Sequence, residues 1–250
     1  QRVFTNVRVR AGQELSVLVG DTSPSHDLVP VPGPLDIVYE DEDLLIVNKA
    51  PGVPCHVGPG HYDDTLGNFL VYYYKKQGIL ADFHPVHRLD KGTSGLMVVA
   101  KHPYAQEKVK GQLHTGTFRR VYLAICEGVP HPTAGVVDAP IGRVEGSLLA
   151  REVRPDGLSA RTHYEVLRVI GNRALLRLEL DTGRTHQIRV HMTHLGHPLT
   201  GDFLYGVEDQ GLITQPALHS AALELLHPVT GALLQLEAPL PDDMRLLLEK

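Results

Sequence analysis

Asp90 stands among cations in the run His87-Arg88-Leu89-Asp90-Lys91-Gly92-Thr93-Ser94-Gly95-Leu96. Positive charge on both sides favours the ionised form of a carboxylate. An ionised carboxylate serves as a nucleophile or a base, not as an acid. Glycines at 92 and 95 admit backbone conformations that other residues disfavour, so this turn can present Asp90 at the mouth of a cleft. The apolar run Leu96-Met97-Val98-Val99-Ala100 follows at once, as a strand would. A D-K-G triplet alone is more often an ordinary charged turn, because such turns are common on protein surfaces.

Two other chemistries have residues of the right type but the wrong spacing. His186, His191, His194 and His197, among 15 histidines, bring a zinc hydrolase to mind. The helix expected there stops at Gly196, and no carboxylate sits between histidines as in H-E-x-x-H. Gly92-Thr93-Ser94-Gly95 lacks the G-x-S-x-G spacing of a serine nucleophile elbow. Cys55 and Cys126 give neither a disulfide framework nor a C-x-x-C pair, and are expected as a loop thiol and a buried strand residue. No metal site is expected.

Three separated blocks carry a resemblance to a known family. The stretch around Asp90, with Pro85-Val86 before it and Lys101 after it, resembles the signature of the RluA-type pseudouridine synthases. Asn48-Lys49-Ala50-Pro51-Gly52-Val53-Pro54-Cys55-His56 resembles that family's N-K-P-x-G-x-x-x-H segment, with Ala and Pro exchanged. Thr182-Gly183-Arg184-Thr185-His186-Gln187-Ile188-Arg189-Val190-His191 resembles its second signature. The similarity runs from about Asp36 to the C-terminus. It implies the pseudouridine synthase fold, an intramolecular transfer of uracil on its ribose, and no cofactor, since the reaction has no redox step and needs no energy input.

The resemblance also implies roles. Asp90 is the catalytic aspartate, Arg189 pairs with it, and Tyr122, in Arg119-Arg120-Val121-Tyr122-Leu123-Ala124, stacks on the uracil. Arg88 fills the space left when the target base leaves its stack, a task that suits a planar guanidinium. Lys91, Lys49, His56 and Arg184 are expected to line the cleft or contact RNA. Leu158 departs from the family, which often has a lysine there, and puts one peripheral RNA contact in doubt. The expected partner is ribosomal RNA, with transfer RNA the main alternative and a non-catalytic RNA-binding module a third reading.

The elements that must position these residues follow from periodicity. Ile37-Val38-Tyr39 and Leu44 to Val47 read as short strands around an acidic turn. Thr65 to Gln77 reads as a helix with Leu66, Phe69, Leu70 and Tyr73 on one face and Gly78 at its end, which makes Tyr72 to Tyr74 core and rim. A strand over Leu96 to Lys101 and a helix over Pro103 to His114 come next. Phe118 to Glu127 alternates, with Val121, Leu123 and Ile125 as the expected apolar stripe and Tyr122 facing away from it. Arg161 to Ile170 and Arg173 to Leu180 form a hairpin about Gly171-Asn172, with Ala174, Leu176, Leu178 and Leu180 inward. Thr185 to Leu195 reads as a helix with Ile188, Met192 and Leu195 inward. Strands near Ala221 to Leu226 and Leu233 to Glu237 and a short helix after Pro241 close the chain. Many antiparallel strands with interspersed helices make an α+β fold, a predominantly antiparallel mixed sheet with flanking helices.

Composition bounds the rest. With 250 residues, 42% hydrophobic and 21% charged, the chain can bury a sizeable core. No apolar run is long enough to span a membrane and no signal-peptide pattern opens the chain, so a cytoplasmic monomer is expected. The net charge of −5 argues weakly against a polyanionic partner, but charge is segregated along the chain. His84 to Tyr122 holds seven cations against two acids, and Asp36 to Asp64 holds seven acids against Lys49. A basic stretch around a catalytic acid is the footprint of a polyanionic substrate. Residues 1–35, with a hairpin-like alternation about Ala11-Gly12 and a Pro-rich linker, are expected to be the tail of a small RNA-binding domain, and 36–250 the catalytic domain. The chain opens on Gln, as a piece of a longer protein would.

Overall fold

Runs such as Leu44-Leu45-Ile46-Val47 and Leu96 to Ala100 show no polar alternation, the pattern of strands covered on both faces. In the computed structural model, which describes residues 8–14, 16, 28–113, 115–206, 211 and 213–249, both runs lie deep in one large mixed sheet.

The chain opens with strands β1 (Ile37–Glu40) and β2 (Leu44–Lys49) and helix α1 (Leu66–Gln77). Next come β3 (His84–Pro85), β4 (Ser94–Ala100), α2 (Pro103–Gln112) and β5 (Arg119–Glu127). β6 (Ala134–Asp138) precedes a small separate hairpin of β7 (Ile141–Arg143) and β8 (Arg151–Val153). The long pair β9 (Arg161–Ile170) and β10 (Arg173–Leu180) leads to α3 (Gln187–His194), β11 (Leu218–Leu226), β12 (Leu233–Glu237) and α4 (Asp242–Leu247).

The main sheet runs β1-β2-β4-β11-β5-β10-β9-β6, and every pairing is antiparallel except β4 with β11. That parallel contact is short, His219 with Ser94 and Ser220 with Gly95. Beyond it the two strands diverge, β3 pairing with β4 and β12 with β11. The Asp90 loop sits just before this fork. Gly95 is the reason the strands can meet there: its φ is +106°, and a Cβ would lie 2.3 Å from the carbonyl oxygen of Ser220. Gly92 serves a close approach instead, since a Cβ there would meet Pro216 at 2.9 Å.

Both faces of the sheet are buried. Leu45, Val47, Met97 and Val99 point into one cluster with Leu70 and Tyr74 of α1 and Ile188 and Met192 of α3. Leu44, Ile46, Leu96 and Val98 point into a second with Ala105 and Val109 of α2. Helix α1 keeps its expected limits: Asn68 N donates to Thr65 Oγ1, Thr65 N donates to Asn68 Oδ1, and Gly78 ends it at φ 69°. Tyr74 is core and Tyr73 reaches the rim, its hydroxyl donating to Glu40 at 2.7 Å.

Three expectations are corrected. On β5 the deeper face is Tyr122, Ala124 and Cys126, while Val121 and Leu123 are only partly buried. Alternation tells which residues share a face but not which face is covered more, and here α3 and its cluster lie over the Tyr122 side. Helix α3 begins at Gln187, because His186 adopts the left-handed conformation at φ 59° and ψ 20°. Leu195 lies beyond the end of that helix and is exposed. The turn of the expected N-terminal hairpin is present, with Gln13 N donating to Arg10 O, but Val7, Leu15, Val17 and Val19 of its alternation and residues 21–27 of the linker lie outside the described residues. Residues 28–35 dock on α1, where Asn68 Nδ2 donates to Val29 O at 2.8 Å.

Candidate active site

The Asp90 loop is held from beneath by the segment before α1. Lys49 is 2% exposed and its ammonium donates to three carbonyls, of Ala50 at 2.9 Å, Val53 at 2.9 Å and Lys91 at 3.2 Å. Gly52 N also donates to Lys91 O, and the Cys55 thiol donates to Leu89 O at 3.0 Å. Burial pulls the Lys49 ammonium down to about 8, against the opposing pull of Cys55 and Asp90, so it stays charged at neutral pH. Lys49 therefore sits buried under the loop, its ammonium engaged by the protein. Burial likewise raises the Cys55 thiol.

From above, His87 accepts a hydrogen bond from Val98 N at 3.2 Å, and Thr93 N closes the turn on Asp90 O at 3.0 Å. Ser94 Oγ bonds His219 Nδ1 at 2.8 Å, but the two are 4% and 1% exposed, so this serine–histidine pair is a tie between β4 and β11. The loop is thus held at the carbonyls of Leu89, Asp90 and Lys91 while the Asp90 side chain, 24% exposed, faces a cleft of about 310 Å3.

Across the cleft, the turn into α3 is organised by Gln187. Its Oε1 accepts from Arg184 N and Thr182 Oγ1, and its Nε2 donates to Arg161 O and Thr162 Oγ1. Arg189 then enters from the helix with its Nη1 3.9 Å from Asp90 Oδ2. Its firmer partner is Asp202, fully buried, which takes Nε and Nη2 at 2.7 Å each. Asp202 Oδ1 also accepts from Leu204 N and Tyr205 N, and the guanidinium lies 4.9 Å from the Tyr205 ring centroid. A charge-assisted fork of this kind fixes orientation as well as charge. Arg189 is burdened by burial but the Asp202 pair keeps its affinity for the proton raised.

Tyr122 lines the cleft with Arg120, both nearly buried. Burial raises the phenol first, Asp90 adds to this, and Arg120 and Ser220 oppose it, so the hydroxyl is protonated at neutral pH. Arg120 Nε has no hydrogen-bond partner. Arg88 is exposed at the mouth, its Nη2 donating to Thr185 Oγ1 at 2.5 Å and so bridging the two walls.

The cleft brings together Asp90, Tyr122, Arg189, Arg88 and Arg184. Lys49 and His56 are not among its lining. His56 is exposed beside Phe83, with burial and the Arg88 charge lowering its pKa. Lys91 is exposed and its ammonium meets His61 Nε2 at 3.1 Å. Sequence reasoning missed Arg120, Asp202, Tyr205 and the place of His186 near Asp90. Arg120 was findable, because alternation puts it on the Tyr122 face; Asp202 and Tyr205 were not, because nothing in their spacing marks them as partners of α3.

Folding also redistributes the charge segregation. Within the basic stretch, Lys101 pairs with Glu40 at 2.7 Å and Arg119 with Glu179 at 3.1 Å, so it does not form one continuous surface. Four arginines, Arg88, Arg143, Arg151 and Arg184, instead line a groove that adjoins the cleft, with Asp156 and Leu158.

The histidines considered for zinc are engaged separately. His186 meets Tyr205, His191 is buried between Thr162 and Ala139, and His197 bonds Glu127 O. Asp41, Asp43 and His227 have metal-ligating types close together. His227 Nδ1 accepts from Val229 N and Thr230 N, so Nε2 carries the proton and donates it to Asp41 Oδ2 at 2.8 Å. The group joins two turns and its atoms are already used.

Comparison with known proteins shows the family. The family model described as RNA pseudouridylate synthase matches residues 43–194. Over 249 residues the chain is 42% identical to an uncharacterized RNA pseudouridine synthase, YjbO, of Bacillus subtilis strain 168, covering 100% of this chain and 88% of that protein. It is 39% identical over 270 residues to ribosomal large subunit pseudouridine synthase D of Escherichia coli K12, covering 100% of this chain and 82% of that one. Among solved structures, human RNA pseudouridylate synthase domain containing 4 superposes with a TM-score of 0.69 at 29% identity, over 86% of this chain and 92% of the other.

Proposed function

The chain belongs to the RNA pseudouridylate synthase family and isomerises uridine in RNA to pseudouridine; on that basis we propose that Asp90 is the carboxylate that drives the reaction and that ribosomal RNA is the substrate. The observation that carries the first reading is the placement of Asp90, whose Oδ2 lies 3.9 Å from Arg189 Nη1 in a cleft that also presents Tyr122.

The reaction breaks the bond between ribose C1′ and uracil N1, turns the base, joins C1′ to C5, and exchanges the C5 proton for one on N1. An ionised Asp90 begins it, by adding to the substrate or by taking a ribose proton. Arg189 steadies the charge of Asp90, and Tyr122 stacks on the uracil with its phenol available as a donor. The base reaches this cleft only after leaving its stack, and Arg88 lets go of Thr185 to occupy the gap. The arginine groove beside the cleft takes the flanking phosphates, with Arg88 and Arg184 shared between groove and cleft. Lys91, exposed beside His61, and His56, which feels the Arg88 charge, contact RNA outside the cleft.

The ribosomal substrate is supported by the relatives named for the large ribosomal subunit. Among the described residues no helix is long and apolar enough to cross a membrane. A monomer acting in the cytoplasm, with its catalytic unit over 36–250 behind the docked linker, completes the proposal. Carbodiimide labelling and primer extension on unmodified large-subunit ribosomal RNA and transfer RNA transcripts test the substrate. A new stop on the ribosomal transcript is the expected result; stops confined to transfer RNA would overturn it.

A further inference from the structure

Asp90 Oδ2 faces two groups. Arg189 Nη1 lies 3.9 Å from it and His186 Nε2 lies 4.0 Å from the same oxygen. We infer that His186 is a second positioning residue of the isomerisation, which with Arg189 holds Oδ2 and leaves Oδ1 as the oxygen turned to the substrate. This inference rests on the reading of Asp90 as the catalytic carboxylate.

The network behind His186 favours one position for its proton, the one that gives the Tyr205 hydroxyl an acceptor. Tyr205 Oη accepts from Arg151 N at 2.8 Å and contacts His186 Nδ1 at 2.7 Å. A phenol has one proton to give, and Nδ1 is the acceptor within reach, so Tyr205 donates to Nδ1. The proton of the neutral imidazole then sits on Nε2, the atom aimed at Asp90. At 4.0 Å the contact is electrostatic; it becomes a hydrogen bond when substrate presses the carboxylate inward, as catalytic hydrogen bonds commonly shorten on binding.

The backbone points the same way. His186 is the one non-glycine residue with positive φ among the described residues, at 59°, a conformation costly for most side chains. It has no capping bond to α3 that would explain the choice. Strained residues persist where the surroundings fix them, and they gather at active sites. The strain turns the ring away from the helix axis and into the cleft, where it packs edge-on against Tyr205 at 5.6 Å. The charged and titratable groups facing it are Asp90 on its loop, Arg189 on α3, Asp202 and Tyr205 on the following turn, and Arg151 on β8. Burial lowers its pKa first; the two arginines lower it further and the two acids raise it.

His186→Asn and His186→Gly both tolerate the backbone, so each separates function from folding. On unmodified large-subunit ribosomal RNA transcripts, both variants are expected to melt near the wild-type temperature while kcat falls about 100-fold, the scale of a misplaced reacting group. The acid limb of wild-type kcat reports protonation of His186, which draws Asp90 into an ion pair. That limb should move to lower pH in His186→Asn. In Tyr205→Phe it should move to higher pH, because a bond that favours the neutral ring is gone. Wild-type kcat in both His186 variants, or an acid limb unmoved in His186→Asn and Tyr205→Phe, would overturn the inference. An inactive Asp90→Asn beside active His186 variants would do so while leaving the reading of Asp90 intact; an active Asp90→Asn would remove both.

Discussion

Asp202 grips Arg189 through both carboxylate oxygens at 2.7 Å and leaves Nη1 as the guanidinium nitrogen turned to Asp90. The arginine is therefore set in place before substrate arrives, by a residue 13 positions away that does not itself line the cleft.

Asp202→Asn should accordingly damage both folding and turnover. Removing one partner of a buried pair leaves an uncompensated charge, a loss of about 3–5 kcal/mol. Urea unfolding is expected to show a loss of that size, and kcat should fall while KM changes little. A variant as stable and active as wild type would mean that Arg189 is held by something else.

Lys49 makes a different prediction, because its role is to hold the loop. Lys49→Met leaves the carbonyls of Ala50 and Val53 without their donor, while Lys91 O keeps Gly52 N. Each buried group left unsatisfied costs about 1–3 kcal/mol, so a loss of at least about 2 kcal/mol is expected by urea unfolding. RNA affinity, measured by filter binding at two salt concentrations, should keep the wild-type salt slope, since no phosphate contact is removed. A shallower slope with unchanged stability would return Lys49 to the RNA-binding surface.

Much of the fold was legible. Helix α1 was framed by Thr65 and Gly78, and the hairpin of β9 and β10 by Gly171-Asn172. What failed had physical reasons. Tyr122 looked like an outward residue because Val121, Leu123 and Ile125 are more apolar, yet the mid-sheet strand is covered on both faces. The start of α3 was misplaced because the Gln187 side-chain bonds that hold the preceding turn involve Thr162 and Arg161, 25 and 26 residues away. The charges around Asp90 and the family resemblance at Arg189 marked these two, but the residue that joins them to the scaffold, Asp202, is recognisable only in three dimensions.

Acid should weaken the fold through its buried histidines. His87 is held down to about 3 by burial and the Arg120 charge, and His191 and His219 are lowered by burial. Their folded values lie below the unfolded value of about 6.5, so the unfolded chain binds more protons in between. Stability is then greatest above that value and falls as the pH drops from about 6.5 towards the folded values, by about 1.4 kcal/mol per pH unit for each histidine in its window. Urea unfolding between pH 7.5 and 5 checks this; a flat profile would show that these rings are not held neutral.

The most direct test of the catalytic assignment is release of tritium from RNA labelled at uracil C5, the proton that the isomerisation must expel. Wild-type protein is expected to release label into water from the large-subunit ribosomal transcript. Asp90→Asn should release none above background while binding the same RNA and melting at the same temperature. Release by Asp90→Asn at the wild-type rate would contradict the assignment of this carboxylate as the group that drives the reaction.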